Sequence, residues 1–305
     1  VTTVHLETRG IDVCLGKRLD TISPGPDAIR MADVLKLIAP SVLKHVVSGD
    51  LPPGLPTIPT SGWGWGFEFG QAGWGMDGNG PAQKGSNLPP SSVAYKQGAG
   101  DCWWAMFLHR LRLWAKLARR PIPNVSDLTL LTQYSAYIAS TNNGQGYNIH
   151  TGANDLGTDP LAAYAFLAKT PFHDDAGNKY PVGKPVSLTP GNVQEHIVST
   201  YLFQGTGVGV QLQQAQVDQF DQRQPLAYVK GSPVVGGHEL LQAGPDGMVE
   251  WGEQIPYSPS FLEECNDQSE ATFSVEMFNA VTGEDATTAD ELDVEKYVAA
   301  FTSST

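Results

Sequence analysis

Cysteine is scarce in this 305-residue chain, with Cys14, Cys102 and Cys265 far apart. Three separated thiols make no disulfide framework, and the absence of a CxxC pair excludes the common zinc modules. One bridge, Cys14 to Cys265, stays open on the sequence, with free thiols in a reducing compartment the expected alternative. Positive charge is also short: 19 Lys and Arg stand against 32 Asp and Glu, a net charge of −13. A nucleic-acid backbone is therefore not an expected partner. The chain has no run of about 18 apolar residues, so no membrane span is expected. "VTTVHLETRG" lacks a positive region followed by an apolar one and does not read as a signal peptide. Localisation is otherwise open.

What is present suits a packed globular protein: 41% hydrophobic and 17% charged residues. The 33 Gly and 22 Pro imply long irregular connections. "PDAIRMADVLKLIAPSVLKHVV" carries apolar residues at helical spacing, with Pro40 as a break. Residues 51–93 are dominated by Pro, Gly, Ser and aromatics, and Trp63, Trp65 and Trp74 there need burial against this domain, a ligand or a partner.

"QGAGDCWWAMFLHRLRLWAKLARR" opens a strong helix at Cys102. Its basic residues, Arg110, Arg112, Lys116, Arg119 and Arg120, are expected on the exposed face, as is His109. Helices follow at "SDLTLLTQYSAYIAS", capped by Ser126 or Asp127, at "TDPLAAYAFLAK", capped by Asp159, and at "TPGNVQEHIVSTYLF". Then the pattern changes. "GVGVQLQ" reads as a strand, "HELLQAGPDGMVEW" as a hairpin, "SPSFLEEC" as a helical turn and "EATFSVEMF" as a further strand. Helices first and antiparallel strands second make an α+β arrangement. The acidic end from about Asn279 holds one terminal helix, "TTADELDVEKYVAAF".

A thiol at a helix N-terminus is favoured as thiolate by the dipole and the unpaired amides. His238, after two glycines at the mouth of a strand, is the matching base. The bland alternative, a packed cysteine and a locally satisfied histidine, stands beside this. His150, Asn154, Asp155 and Asp159 lack calcium-loop spacing, and "FQGTGVG" precedes a strand instead of joining strand to helix. No metal or cofactor is expected.

"QGAGDCWWAMF" and "GGHELLQAGPDGMVEWG" together resemble the two motifs of the papain-like cysteine peptidases, in that order, over about residues 97–278. The "GDC…GGH…WG" variant looks closest to papain-like proteins of bacteria and tailed phages. The resemblance implies a papain-like α+β fold, a helical layer carrying Cys followed by an antiparallel barrel-like sheet carrying His. It divides the chain into an N-terminal wrapping segment (1–95), with one helix and a Gly/Trp-rich loop, a core (96–278) and an acidic extension (279–305).

The implied roles are Cys102 as nucleophile, His238 as general base and acid, Gln97 as oxyanion donor and Trp251 as a shield. The substrate would be a peptide or protein. Two departures follow. Gln97 stands one residue closer to Cys102 than in the family pattern. Val249 occupies the place of the family's orienting Asn. Strand alternation is expected to turn Glu250 to the opposite face, leaving Glu253 or Gln254 to take over. The alternative reading is the same fold kept without catalysis, as a structural component of a phage particle in contact with other virion proteins, in a virion or a host cytoplasm.

Overall fold

The computed structural model describes residues 1–8, 11–18, 24–25, 28–38, 80, 82, 85–117, 120–245 and 247–303. The Gly/Trp-rich loop, Pro40 and most of residues 39–84 lie outside the described residues.

Eleven strands are described. β1 (Thr2–Leu6) and β2 (Ile11–Leu15) form an antiparallel hairpin. β4 (Phe172–His173) and β5 (Lys179–Tyr180) form a second small pair. The remaining seven make one sheet in the order β10-β9-β8-β7-β11-β6-β3. They are β3 (Ile29–Arg30), β6 (Val186–Ser187), β7 (Thr206–Gln213), β8 (Val234–Gln242), β9 (Gly247–Glu250), β10 (Glu253–Pro256) and β11 (Asn266–Ala271). All neighbours run antiparallel except β3 against β6. The fold is therefore α+β with a large mixed sheet. β10 and β3 are its edges.

Alternation along the strands separates two apolar cores. Val208, Val210 and Leu240 enter one, with β1 and β2. Leu241 and Val249 enter the other, with the helices. The helix Cys102–Leu117 lies in that second core, and its first thirteen residues are all buried. Two expectations are corrected here. His109, Arg110 and Arg112 are buried, not exposed, because the sheet and neighbouring helices enclose the helix on all sides. Arg110 finds acceptors inside the protein, donating to Tyr164 Oη at 2.5 Å and to the Glu270 carbonyl at 3.2 Å.

The downstream helices have the expected caps. Ser126 accepts from the Thr129 amide before Asp127–Thr141, and Asp159 accepts from the Ala162 amide before Pro160–Leu167. Asn192 caps Val193–Phe203. "EATFSVEMF" is split. Its first residues end β11, whereas Val275–Thr282 is a helix, because the Ser274 side chain caps the Met277 amide and Glu276 suits the positive end of the dipole. Near the N-terminus, Met31–Val34 is a single helical turn followed by a 3-10 turn. The acidic end is docked. Tyr297, on the helix Val294–Ser303, stacks on Phe273 at 4.5 Å.

Candidate functional site

Cys102 begins its helix just after Gly98, which has φ +79°. The preceding Asp101 supplies the first helical carbonyl, which accepts from the amides of both Trp104 and Ala105. Cys102 is 2% exposed. Burial, then the nearby charge of Glu239, push the thiol up to about 12. Backbone hydrogen bonds from Gly16 and Glu239 pull the other way. The sulfur therefore rests against the peptide unit joining His238 to Glu239. This is how the fold brings the helix-borne sulfur to the histidine strand.

His238 is also enclosed, and burial pushes its imidazole down to about 3. Neither ring nitrogen makes a hydrogen bond. By strand alternation the His238 ring takes the face of Val210 and Leu240, whereas Glu239 and Leu241 take the face of the cysteine helix. The thiol and the imidazole are both neutral and form no hydrogen-bonded ion pair. Trp251 covers the ring, with centroids 5.0 Å apart and planes tilted by 34°.

Glu250 Oε1 lies 3.7 Å from His238 Nε2, inside a dry environment. The expectation that alternation turns Glu250 away is corrected by register. Leu241 pairs with Val249, so Val249 takes the face of Leu241 and Glu250 takes the face of Leu240 and His238. Trp251 and Gly252 make the two-residue turn into β10, at φ +44° and +77°. Of the other candidates, Glu253 faces Arg223 at 3.8 Å, and Gln254 sits on the exposed edge strand over Gly247. Gln97 ends a short helix and is exposed, while the sulfur is enclosed; its backbone carbonyl accepts from the Cys14 thiol at 3.3 Å.

The residues Gly16 to Arg18 carried no sequence signal. They cross the gap between the loop at Thr158 and the histidine strand. Thr158 donates to the Gly16 carbonyl at 2.7 Å, Arg18 donates to the Thr158 carbonyl at 3.1 Å, and Lys17 donates to the Gly237 carbonyl at 3.1 Å. The fit is backbone against backbone. A Cβ at Gly16 would stand 1.7 Å from the Gly100 carbonyl oxygen. A cavity of about 480 Å³ runs beside this strap, lined by Leu15, Lys17, Leu156, Gly157, Gly236 and others.

The polar loop at 150–159 is used structurally. Asp155 accepts from the Gly100 amide and from Tyr134 Oη at 2.6 Å, and Asp159 is the cap named above. Among the described residues no cluster of His, Cys, Asp and Glu could hold a metal ion, and no helix is long and apolar enough to cross a membrane. All three cysteines are free thiols.

No protein family matches the chain in a scan of family descriptions, and no curated protein matches it. Among solved structures it is similar to xylellain, a cysteine protease from Xylella fastidiosa, at a TM-score of 0.50 and 10% identity. The match covers 86% of this chain and 97% of xylellain. The chain therefore shares the fold of a bacterial cysteine protease over most of its length, with little sequence in common.

Proposed function

We propose that this protein is a papain-like thiol hydrolase acting on peptide or protein substrates. The reading is carried by one observation: within a fold shared with a cysteine protease, the helix-opening Cys102 comes against the backbone of Glu239, the residue that follows His238 on the strand. Glu250 takes the orienting place beside the imidazole in this reading, and Trp251 keeps water from it.

In the reaction, His238 takes the thiol proton and the sulfur attacks the carbonyl carbon. A tetrahedral intermediate forms, with its oxyanion near the Cys102 backbone amide. His238 then protonates the leaving amine. The acyl-enzyme is resolved by a water that gives its proton to His238. Gln97, exposed at the end of its short helix, takes no part in this scheme. The enclosed state is a resting one, because the strap at residues 16–18 fills the gap that substrate would enter. Solvent admitted by its displacement moves both pKa values toward their ordinary range, where transfer from thiol to imidazole becomes accessible.

A second reading, a retained fold without catalysis such as a virion component, is favoured by the missing hydrogen bonds of the His238 ring. The two are separated by hydrolysis of a fluorogenic casein, with alkylation of each thiol followed by mass spectrometry. The hydrolase reading expects activity that is lost in Cys102→Ala, and alkylation at Cys102 ahead of Cys14 and Cys265. No hydrolysis, with Cys102 no more reactive than the other two, overturns it.

A further inference from the structure

Beneath Cys102 lies a group of charges that the proposed chemistry does not use. β7 alternates small and large residues, and Gly207 and Gly209 leave a trough on its helix-facing side. A Cβ at Gly207 would meet Arg110 and Glu270 at 2.9 Å, and one at Gly209 would meet Lys17 Cε at 2.3 Å. Glu239 on β8, paired with Gly209, and Glu270 on β11, paired with Gly207, both enter this trough, and both Glu239 oxygens and Glu270 Oε2 are buried there with no N–H donor. Two carboxyl groups can hydrogen-bond to each other only through a proton held by one of them. Trp103 Nε1 donates to Glu270 Oε1 at 3.2 Å, and Lys17 Nζ pairs with Asp267 at 2.8 Å.

Glu239, Glu270, Trp103, Arg110 and Lys17 are shut away from solvent, and Asp267 stands at the rim with its side chain 20% exposed. The charges close the case. Glu239, Glu270 and Asp267 oppose Arg110 and Lys17, so three carboxylates face two cations. One bound proton makes the group neutral, and a buried group with net charge is costly. The groups facing the pair are Arg110 on the cysteine helix, Tyr164 on the helix Pro160–Leu167, Lys17 on the strap and Asp267 on β11. Asp101 is the other carboxylate beside Cys102.

We propose that Glu239 and Glu270 are a proton-sharing carboxyl pair whose release of a proton adds negative charge beside Cys102 and so restrains the cysteine. Glu239 is thus a positioning residue, acting through the field it sets at the sulfur. Lys17 links this pair to the strap: with the strap withdrawn, the trough loses a cation, and the pair holds its proton to higher pH. Burial raises Glu270 above the ordinary carboxylate range, against the pull of Arg110. The effect on Cys102 rests on that thiol being the reactive one, as proposed above; the proton pair itself does not.

The indole N–H resonance of Trp103, which is bonded to Glu270, reads the pair directly in the full chain by nitrogen-15 NMR. A titration step between pH 5 and 9 is expected. It should move up in Lys17→Met, where a cation is lost. It should move down in Glu239→Gln, where the like charge is lost and the shape is kept. A flat Trp103 signal, or a step unmoved by both substitutions, overturns the pair.

In parallel, iodoacetamide alkylation of Cys102 at pH 8 should be about tenfold faster in Glu239→Gln, as expected for about one unit on the thiol. The wild-type profile should show an ionisation that this variant lacks. Identical Cys102 profiles beside a moving Trp103 step overturn the restraint on the cysteine. If Cys102 proves inert in every variant, the hydrolase reading falls, and the Trp103 titration still decides the pair.

Discussion

Val249 and Glu250 exchange the parts that their neighbours' motif suggests for them. Val249 follows Leu241 into the helical core, and Glu250 comes to 3.7 Å from His238 Nε2. A carboxylate there accepts from a protonated imidazole more strongly than an amide would. Glu250→Gln should therefore lower kcat by about tenfold with little change in KM, read from steady-state kinetics. His238→Ala should cost on the order of 10²–10⁴-fold, the usual worth of a general acid–base group. Equal kcat in Glu250→Gln and wild type would remove Glu250 from the site. Cys102 and His238 were legible as candidates because their local signals, a turn of glycines and a helix or strand start, are written in sequence. The side taken by Glu250 was not. It depends on the pairing register of β8 with β9, which the residues of β9 alone do not carry.

The strap and the cysteine helix show what elements add. Gly16 lies so close to Gly100 that any side chain must push the two backbones apart. Gly16→Ala should loosen the strap. Overpacking of this kind costs about 1–3 kcal/mol. The amide of Thr158, bonded to the Gly16 carbonyl, should then exchange with deuterium faster. Unchanged exchange at Thr158 would mean that the strap is held by other contacts. Element types were mostly readable: Ser126 and Asp159 cap the helices their positions suggested, and Asn192 caps the fourth. The exception at Val275–Thr282 arose because "TFSVEMF" alternates in a way compatible with a strand, and a cap at Ser274 outweighs the alternation. Burial of Arg110 and Arg112 could not be read from helical periodicity, since the partners that satisfy Arg110 come from residues 164 and 270.

At the scale of the whole molecule, buried ionisable groups shape stability against pH. Burial lowers His238 to about 3 and His196 to about 4, both below the ordinary histidine value of 6.5. Their neutral forms contribute stability that is full above 6.5 and is lost as pH falls toward those values. Each changes stability by about 1.4 kcal/mol per pH unit within its window. Glu270 is raised from 4.5 to about 7 by burial, against the pull of Arg110, and Glu239 is raised in the same direction. Their contribution is full below 4.5 and is lost as pH rises through 7. The opposed pairs give a broad stability maximum between about pH 4.5 and 7, with decline on both sides. Urea midpoints measured from pH 3.5 to 9 check this; a midpoint still rising at pH 9 would contradict it. The α+β class was legible from the order of helices and strands. The mixed character of the sheet was not, since β3 is two residues long and pairs in parallel with a strand more than 150 positions away.

That small strand has a further effect. Ile29 and Arg30 occupy the hydrogen-bonding rim of β6, so the rim is blunted by the chain's own N-terminal region. A chain shortened as far as residue 30 would offer β6 as an open ladder to other copies. One N-terminal stretch thus closes a margin of the sheet while another, at residue 16, lies against the thiol.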